Sequence, residues 1–184
     1  MAAHYGRRRE PKKSDRPRSR DRTIGRVPDQ KPPRLVAGER ETLLALLQYQ
    51  RDSLVRKVTG VDDDAARRSP VGSGTSLLWL TKHMAGAEIT WIVVRYAGEQ
   101  VPPRDDSVQP GETLAAAVDN YVATWARVDA IVAAAPDLEA SCRNVGNESP
   151  VNLRWVLMHL LEETARHAGH ADILRELADG NTGR

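Results

Sequence analysis

The chain has no phenylalanine and only one cysteine among its 184 residues. Without Phe, a core must be filled by Leu and Val together with the four tryptophans. A lone Cys142 excludes an intramolecular disulfide and any zinc site built from clustered cysteines. No apolar run approaches the roughly 20 residues that a membrane-spanning helix needs. No apolar segment follows the basic N-terminus, so the pattern of a secretory leader is missing and a cytoplasmic protein without a membrane partner is expected. Net charge is also small, at +2, but it is unevenly distributed. Residues 1–34 carry 12 Lys/Arg against 4 Asp/Glu, whereas residues 35–184 carry 15 against 21. The acidic body argues against a nucleic-acid-binding domain, and only residues 1–34 would attract phosphate.

Residues 1–34 hold almost no large apolar side chains and are rich in Arg, Lys, Pro and Ser. Such a segment cannot bury enough surface to offset its ordering entropy, which predicts a disordered basic tail ahead of one domain, residues 35–184. Four helical segments are expected in the body. In the first, over about 38–58, Leu43, Leu47, Gln50, Leu54 and Val58 make one face, and Gly60 followed by Val61-Asp62-Asp63-Asp64 stops it. The second runs from a cap at Thr75 or Ser73 to about Ala97, ended by Gly98. The third spans about 112–135, with Leu114, Val118, Tyr121, Val122, Trp125, Val128 and Val132 inward and Pro136 beyond. The fourth starts with Ser149 as cap and Pro150 in the first turn, and runs to about Ala178 before Gly180. No strand or internal repeat is evident. The expected fold class is all-α, a four-helix bundle.

The fourth segment carries the chemically informative pattern. Val156, Leu160, Glu163, His167, His170 and Leu174 follow one another in steps of four and three, a single stripe with apolar ends and an ionisable middle. His159 borders it. Burying a carboxylate and imidazoles in a bundle is costly unless something compensates, and a bound divalent cation does so. Glu163 and His167, four residues apart, can converge on one ion. In the second segment Leu80, His83, Ala87, Trp91 and Val94 share a face on which His83 alone titrates. His83, Glu163 and His167 would make a two-histidine, one-carboxylate set with a coordination position left open, the mark of a catalytic rather than a structural metal. Spacing alone leaves a plain hydrogen-bonded network open, and it leaves His159 and His170 as rival ligands.

The segment Thr75-Ser76-Leu77-Leu78-Trp79-Leu80-Thr81-Lys82-His83-Met84-Ala85-Gly86-Ala87-Glu88 resembles a characteristic motif of the DinB/YfiT-like superfamily, in particular its actinobacterial mini-circle-type branch. Glu163-Thr164-Ala165-Arg166-His167-Ala168-Gly169-His170, continuing to Ile173-Leu174-Arg175-Glu176, resembles the closing motif of that branch. The resemblance spans about residues 38–180. It implies an up-down-down-up four-helix bundle. It also implies a metal triad of one histidine from the second helix and two residues one turn apart on the fourth. The chain matches the variant with glutamate first, as in the related mycothiol-dependent maleylpyruvate isomerases: His83, Glu163 and His167, with His170 beside the ligands rather than among them.

Enzymes of this superfamily add low-molecular-weight thiols such as mycothiol to small electrophiles, or isomerise through such adducts. The resemblance therefore implies a divalent metal, zinc or nickel foremost, and mycothiol as co-substrate. A thiol held at a metal is deprotonated, so the protein needs no catalytic cysteine, consistent with Cys142 falling in an expected loop. No counterpart of the C-terminal module of the larger mycothiol isomerases is expected from these residues, which sets their particular reaction apart. Trp79, Trp91, Trp125 and Trp155 are assigned to the core rather than to a thiol pocket. The alternative is a metal-binding stress or structural homodimer without turnover, in which Ala115-Ala116-Ala117 and Ala133-Ala134-Ala135 would permit close packing between subunits; the same alanines equally serve helix propensity.

Overall fold

A computed structural model describes residues 30–182. The expected basic tail lies mostly outside the described residues; within them, residues 30–38 are exposed and without regular structure. Five helices follow: α1 (Glu39–Val58), the short α2 (Asp63–Arg67), α3 (Leu77–Glu88), α4 (Leu114–Ala133) and α5 (Leu153–Asp179). α3 continues without a break into a π-helical stretch, Ile89–Tyr96. Its widened turn is visible in the N–H of Ala97, which donates to the carbonyl of Ile92 five residues back at 2.9 Å.

Contacts at the helix ends fix the topology. Arg154, at the start of α5, donates to both carboxylate oxygens of Glu39 at the start of α1, at 2.6 and 3.0 Å. Lys57 pairs with Asp172 where both helices finish, so α1 and α5 run parallel. Lys82 of α3 reaches Glu112, just before α4, at 2.7 Å, and Val93 shares a core cluster with Val128 and Val132 further along, so α3 and α4 are parallel too. Arg51 in α1 meets Glu88 in α3 while Leu54 and Val58 pack with Leu77 and Leu80, which makes the two pairs antiparallel. The bundle is up-down-down-up, as the resemblance implies.

Local chemistry moves two of the expected boundaries and adds a helix. α1 ends at Val58 as expected, but Asp62 beyond it caps a short new helix, its carboxylate accepting the Ala65 N–H at 2.9 Å. Ser76, not Thr75 or Ser73, caps α3, accepting the Trp79 N–H at 3.2 Å; the Ser73 and Thr75 hydroxyls bond each other instead. α5 begins after Asn152, whose side chain accepts the Trp155 N–H, rather than at Ser149-Pro150. The reason lies across the chain. Val151 accepts the Cys142 N–H and Leu153 donates to Ala140, each at 2.9 Å, so residues before Leu153 are held extended in an isolated bridge pairing Ser141 with Asn152.

The core divides into two apolar layers. One gathers Leu54, Leu78, Leu80, Met84, Tyr121 and Leu174; the other gathers Leu47, Ile92, Val93, Val132, Leu157 and Leu160. Full burial of each such aliphatic side chain contributes about 1.5–3 kcal/mol. Between the layers lies a polar crossing that the sequence reading did not single out. Arg51, 2% exposed, donates through Nε and Nη2 to the two oxygens of the wholly buried Glu88, at 2.9 and 2.6 Å, and through Nη1 to Asp129 at 2.9 Å. Burial raises the Glu88 carboxyl above its ordinary value, an effect that the charge and hydrogen bonds of Arg51 only partly offset.

The four tryptophans do not fill this core. Trp155 is 44% exposed, and Trp79, Trp91 and Trp125 are half-buried at its margins. Small and branched side chains on α5, Thr164, Ala168 and Ala171, take the innermost positions instead.

Candidate metal centre

α3 and α5 run antiparallel, which brings the middle of one against the middle of the other. His83 projects from α3; Glu163 and His167 project from successive turns of α5. Glu163 Oε1 stands 3.0 Å from His167 Nε2 and 3.4 Å from His83 Nε2. One donor atom from each residue lies within 4.8 Å of the other two. Ligands held at zinc–nitrogen and zinc–oxygen distances in a tetrahedron are separated by about 3.4 Å, close to the two distances from Glu163 Oε1. The imidazole rings of His83 and His167 are 5.0 Å apart and nearly perpendicular, so both Nε2 atoms can address one point without stacking. The site sits at the edge of the bundle rather than in its core: the side chains of His83, Glu163 and His167 are 27, 15 and 12% exposed.

Other side chains restrain each of the three residues. Trp79, one turn before His83, stacks on its ring with centroids 4.8 Å apart. The far nitrogen of His83, Nδ1, faces Asp106 at 3.8 Å. The far nitrogen of His167 lies 3.3 Å from Nδ1 of His170. Arg166 donates to the outer oxygen of Glu163 at 3.1 Å, leaving Oε1 for the histidines. Such outer partners fix ring orientation and tautomer in histidines that ligate metals. The loop between the π-helical stretch and α4 also supplies Arg104, which pairs with Asp106 and lays its guanidinium against Gly86 in α3.

The electrostatics favour ligating forms. Burial lowers the His167 imidazole below its usual value, and the hydrogen bond and charge of Glu163 restore only part of this. For Glu163 burial acts upward, but the hydrogen bonds of His83 and His167 and the charges of His167 and Arg166 outweigh it, so its carboxyl lies below the ordinary value. At neutral pH the site therefore presents a carboxylate and a neutral His167 imidazole, the forms that bind a cation.

The structure thus brings together the three residues marked in the sequence and places His170, exposed, beside His167. It separates His159, whose ring stacks on Trp155 at 5.1 Å and meets Trp91 edge-on at 4.6 Å. Asp106 and Arg104 lie in a charged loop, where periodicity gives no signal of a place at the site. A cavity of about 330 Å³ lies toward the N-terminal end of α5, lined by Trp91, Arg95, Cys142, Asn144, Glu148 and Trp155 among others. Burial raises the Cys142 thiol above its usual value despite nearby Arg95, which keeps it protonated.

The family model described as mycothiol-S-transferase matches residues 42–180. No curated protein matches the chain. Among solved structures, a crystal structure of a conserved protein from Enterococcus faecalis superposes with a TM-score of 0.58 at 15% identity, covering 79% of this chain and 99% of that one. At that identity the likeness concerns the fold alone.

Proposed function

The chain belongs to the mycothiol-S-transferase family, and on that premise we propose that it holds one divalent metal ion through His83, Glu163 and His167 and uses it in transferring the sulfur of mycothiol to a small electrophile. The observation that carries this reading is the convergence of three donor atoms from two antiparallel helices within 4.8 Å. Zinc or nickel suits a set of two imidazoles and one carboxylate. When bound, such an ion lowers the pKa of a coordinated thiol so that the nucleophilic thiolate is present at neutral pH.

The chain's own residues have defined parts. His83 and His167 offer Nε2, held in place by Trp79 and by Asp106 and His170 on their far nitrogens. Glu163 supplies a negative charge that offsets the cation, and its engagement with Arg166 keeps one oxygen turned inward. In the overall change the thiol proton leaves to solvent and a sulfur–carbon bond forms on the electrophile. The electrophile either releases its leaving group or takes up a proton. Cys142, protonated and outside the triad, takes no part in this bond exchange.

Elemental analysis of untagged protein beside His83→Ala and His167→Ala tests the metal. One equivalent of a divalent ion in the wild type, lost in both variants, is expected, together with metal-dependent consumption of mycothiol in the presence of a chloroaromatic electrophile. A protein that neither carries metal nor takes up added Zn²⁺ or Ni²⁺ would overturn the reading. Metal binding without turnover across a broad electrophile panel would leave the non-enzymatic alternative.

A further inference from the structure

The cavity beside α5 is built differently from the triad and is not used by it. Its walls are two indoles, Trp91 and Trp155, with ring centroids 5.2 Å apart and planes tilted by 53°. The guanidinium of Arg95 lies over Trp91 at 4.4 Å from its centroid, held by Glu148. The loop after α4 closes the other side: the Asn144 N–H donates to the Arg95 carbonyl at 2.9 Å, fixing Asn144 at the rim. The side-chain amide of Asn144 and the hydroxyl of Ser149 are exposed along this rim, where a ligand can reach them. Flat apolar plates ringed by an amide, a hydroxyl, a carboxylate and a guanidinium match a polyhydroxylated ring. The C–H face of such a ring lies on indole while its edge hydroxyls both donate and accept. The volume, about 330 Å³, is in the range of small-ligand pockets.

The cavity and the triad lie along the same two helices. Trp155 precedes Glu163 by eight residues on α5, and Trp91 follows His83 by eight, so each indole is about 12 Å along the bundle from the triad. His159 bridges them, touching both indoles and standing one turn from Glu163. The π-helical turn that carries Trp91 changes the register of α3 just where the cavity begins, a feature often found at functional sites.

We propose that this cavity binds the polyol end of the thiol co-substrate, with Trp155 and Trp91 as its stacking surface and Asn144 and Ser149 as its hydrogen-bonding edge. The proposal rests on the thiol-transfer reading above. Mycothiol carries its thiol on a short acyl arm attached to a pair of polyhydroxylated rings. With sulfur at the triad, about 12 Å along the helices, the distal ring would be the part to reach the indoles. Cys142 on the cavity wall, kept as a thiol, would present an uncharged apolar surface to it.

Calorimetric titration of the metal-loaded full chain tests this, using the sulfur-free double-ring portion of mycothiol and, in parallel, mycothiol itself. Both should bind. Trp155→Ala should weaken both at least tenfold while bound metal stays at one equivalent, the sign that bundle and triad are intact. Asn144→Ala should weaken both by a smaller factor. Mycothiol binding that requires metal, together with no binding of the sulfur-free portion, would overturn the cavity assignment and leave the metal reading standing. So would a Trp155→Ala variant with unchanged affinities. Binding of the sulfur-free portion with no metal dependence of mycothiol binding would uphold the cavity and sink the metal reading. Failure of both ligands would remove both.

Discussion

The guanidinium of Arg104 occupies the space that a Cβ on Gly86 would take. A loop residue is thereby seated in the middle of α3, one turn from His83, and its partner Asp106 is held facing the imidazole. Gly86 lies inside a helix, where glycine costs about 0.8–1.0 kcal/mol relative to alanine. Close approach of the arginine accounts for its presence.

Gly86→Ala should therefore separate stability from site geometry. The guanidinium is the end of a flexible side chain and can swing out, so the urea midpoint should rise, by up to about 1 kcal/mol of unfolding free energy. Metal content should stay at one equivalent, while transfer activity should fall as Arg104 and Asp106 lose their seat. A clear drop in stability would mean that the arginine cannot yield.

The buried crossing of Arg51 and Glu88 leads to a sharper contrast. Removing one partner strands a charge between two apolar layers. Arg51→Met and Glu88→Gln should each destabilise by about 3–5 kcal/mol, whereas Arg51→Met with Glu88→Met should restore most of that loss. Asp129, half exposed at the end of the same network, should matter far less, so Asp129→Asn should cost at most about 1 kcal/mol. A chemical denaturation series across these four variants reads the comparison directly. A double variant as unstable as the worse single one would show that the pair specifies packing rather than merely tolerating burial.

How much of this was legible in the sequence depends on the kind of signal each feature gives. The amphipathic spacing of Leu114 to Val132 and of Val156 to Leu174 follows from side-chain burial in long helices, and those helices stand where it put them. The triad was legible because His83 and the Glu163–His167 pair interrupt otherwise apolar stripes. Its depth was not: a stripe reads angle around a helix and not distance from the bundle axis, and Thr164, Ala168 and Ala171 turned out to hold the inner line. Glu88 was visible in the motif, yet its buried partner lies 37 positions away in α1, a pairing that no local pattern reports. The cap of α5 was misplaced because the bridge between Ser141 and Asn152 competes with helix, and a single bridge leaves no periodicity.

Acid should weaken the metal-free protein in two stages. The folded His167 imidazole lies below its unfolded value of 6.5, so the unfolded chain takes up that proton first. The contribution is complete above about pH 6.5 and is lost as pH falls through the lower, folded value. Glu163, also lowered, adds a second loss below its unfolded value of 4.5. Urea midpoints measured across this range should decline, and His167→Ala should flatten the upper part of the decline. A variant whose profile parallels the wild type throughout would place the proton elsewhere.

His170 allows the strongest separation of ligand from support. Its Nδ1 lies 3.3 Å from Nδ1 of His167, the nitrogen turned away from Glu163. With a cation on His167 Nε2, the lone pair there is committed and Nδ1 must carry hydrogen, which His170 then accepts. This holds the ring in one tautomer and one rotation. His170 is exposed and adds nothing to the apolar layers, so His170→Ala should leave the fold and its urea midpoint unchanged. Zinc affinity, read by competition with a chelating dye, should fall about 10–100-fold, the usual consequence of removing a partner one bond out from a ligand. His170→Gln, which keeps an acceptor, should recover much of it. Complete loss of metal in His170→Ala would instead make His170 a ligand. An unchanged affinity would mean that burial alone orients His167.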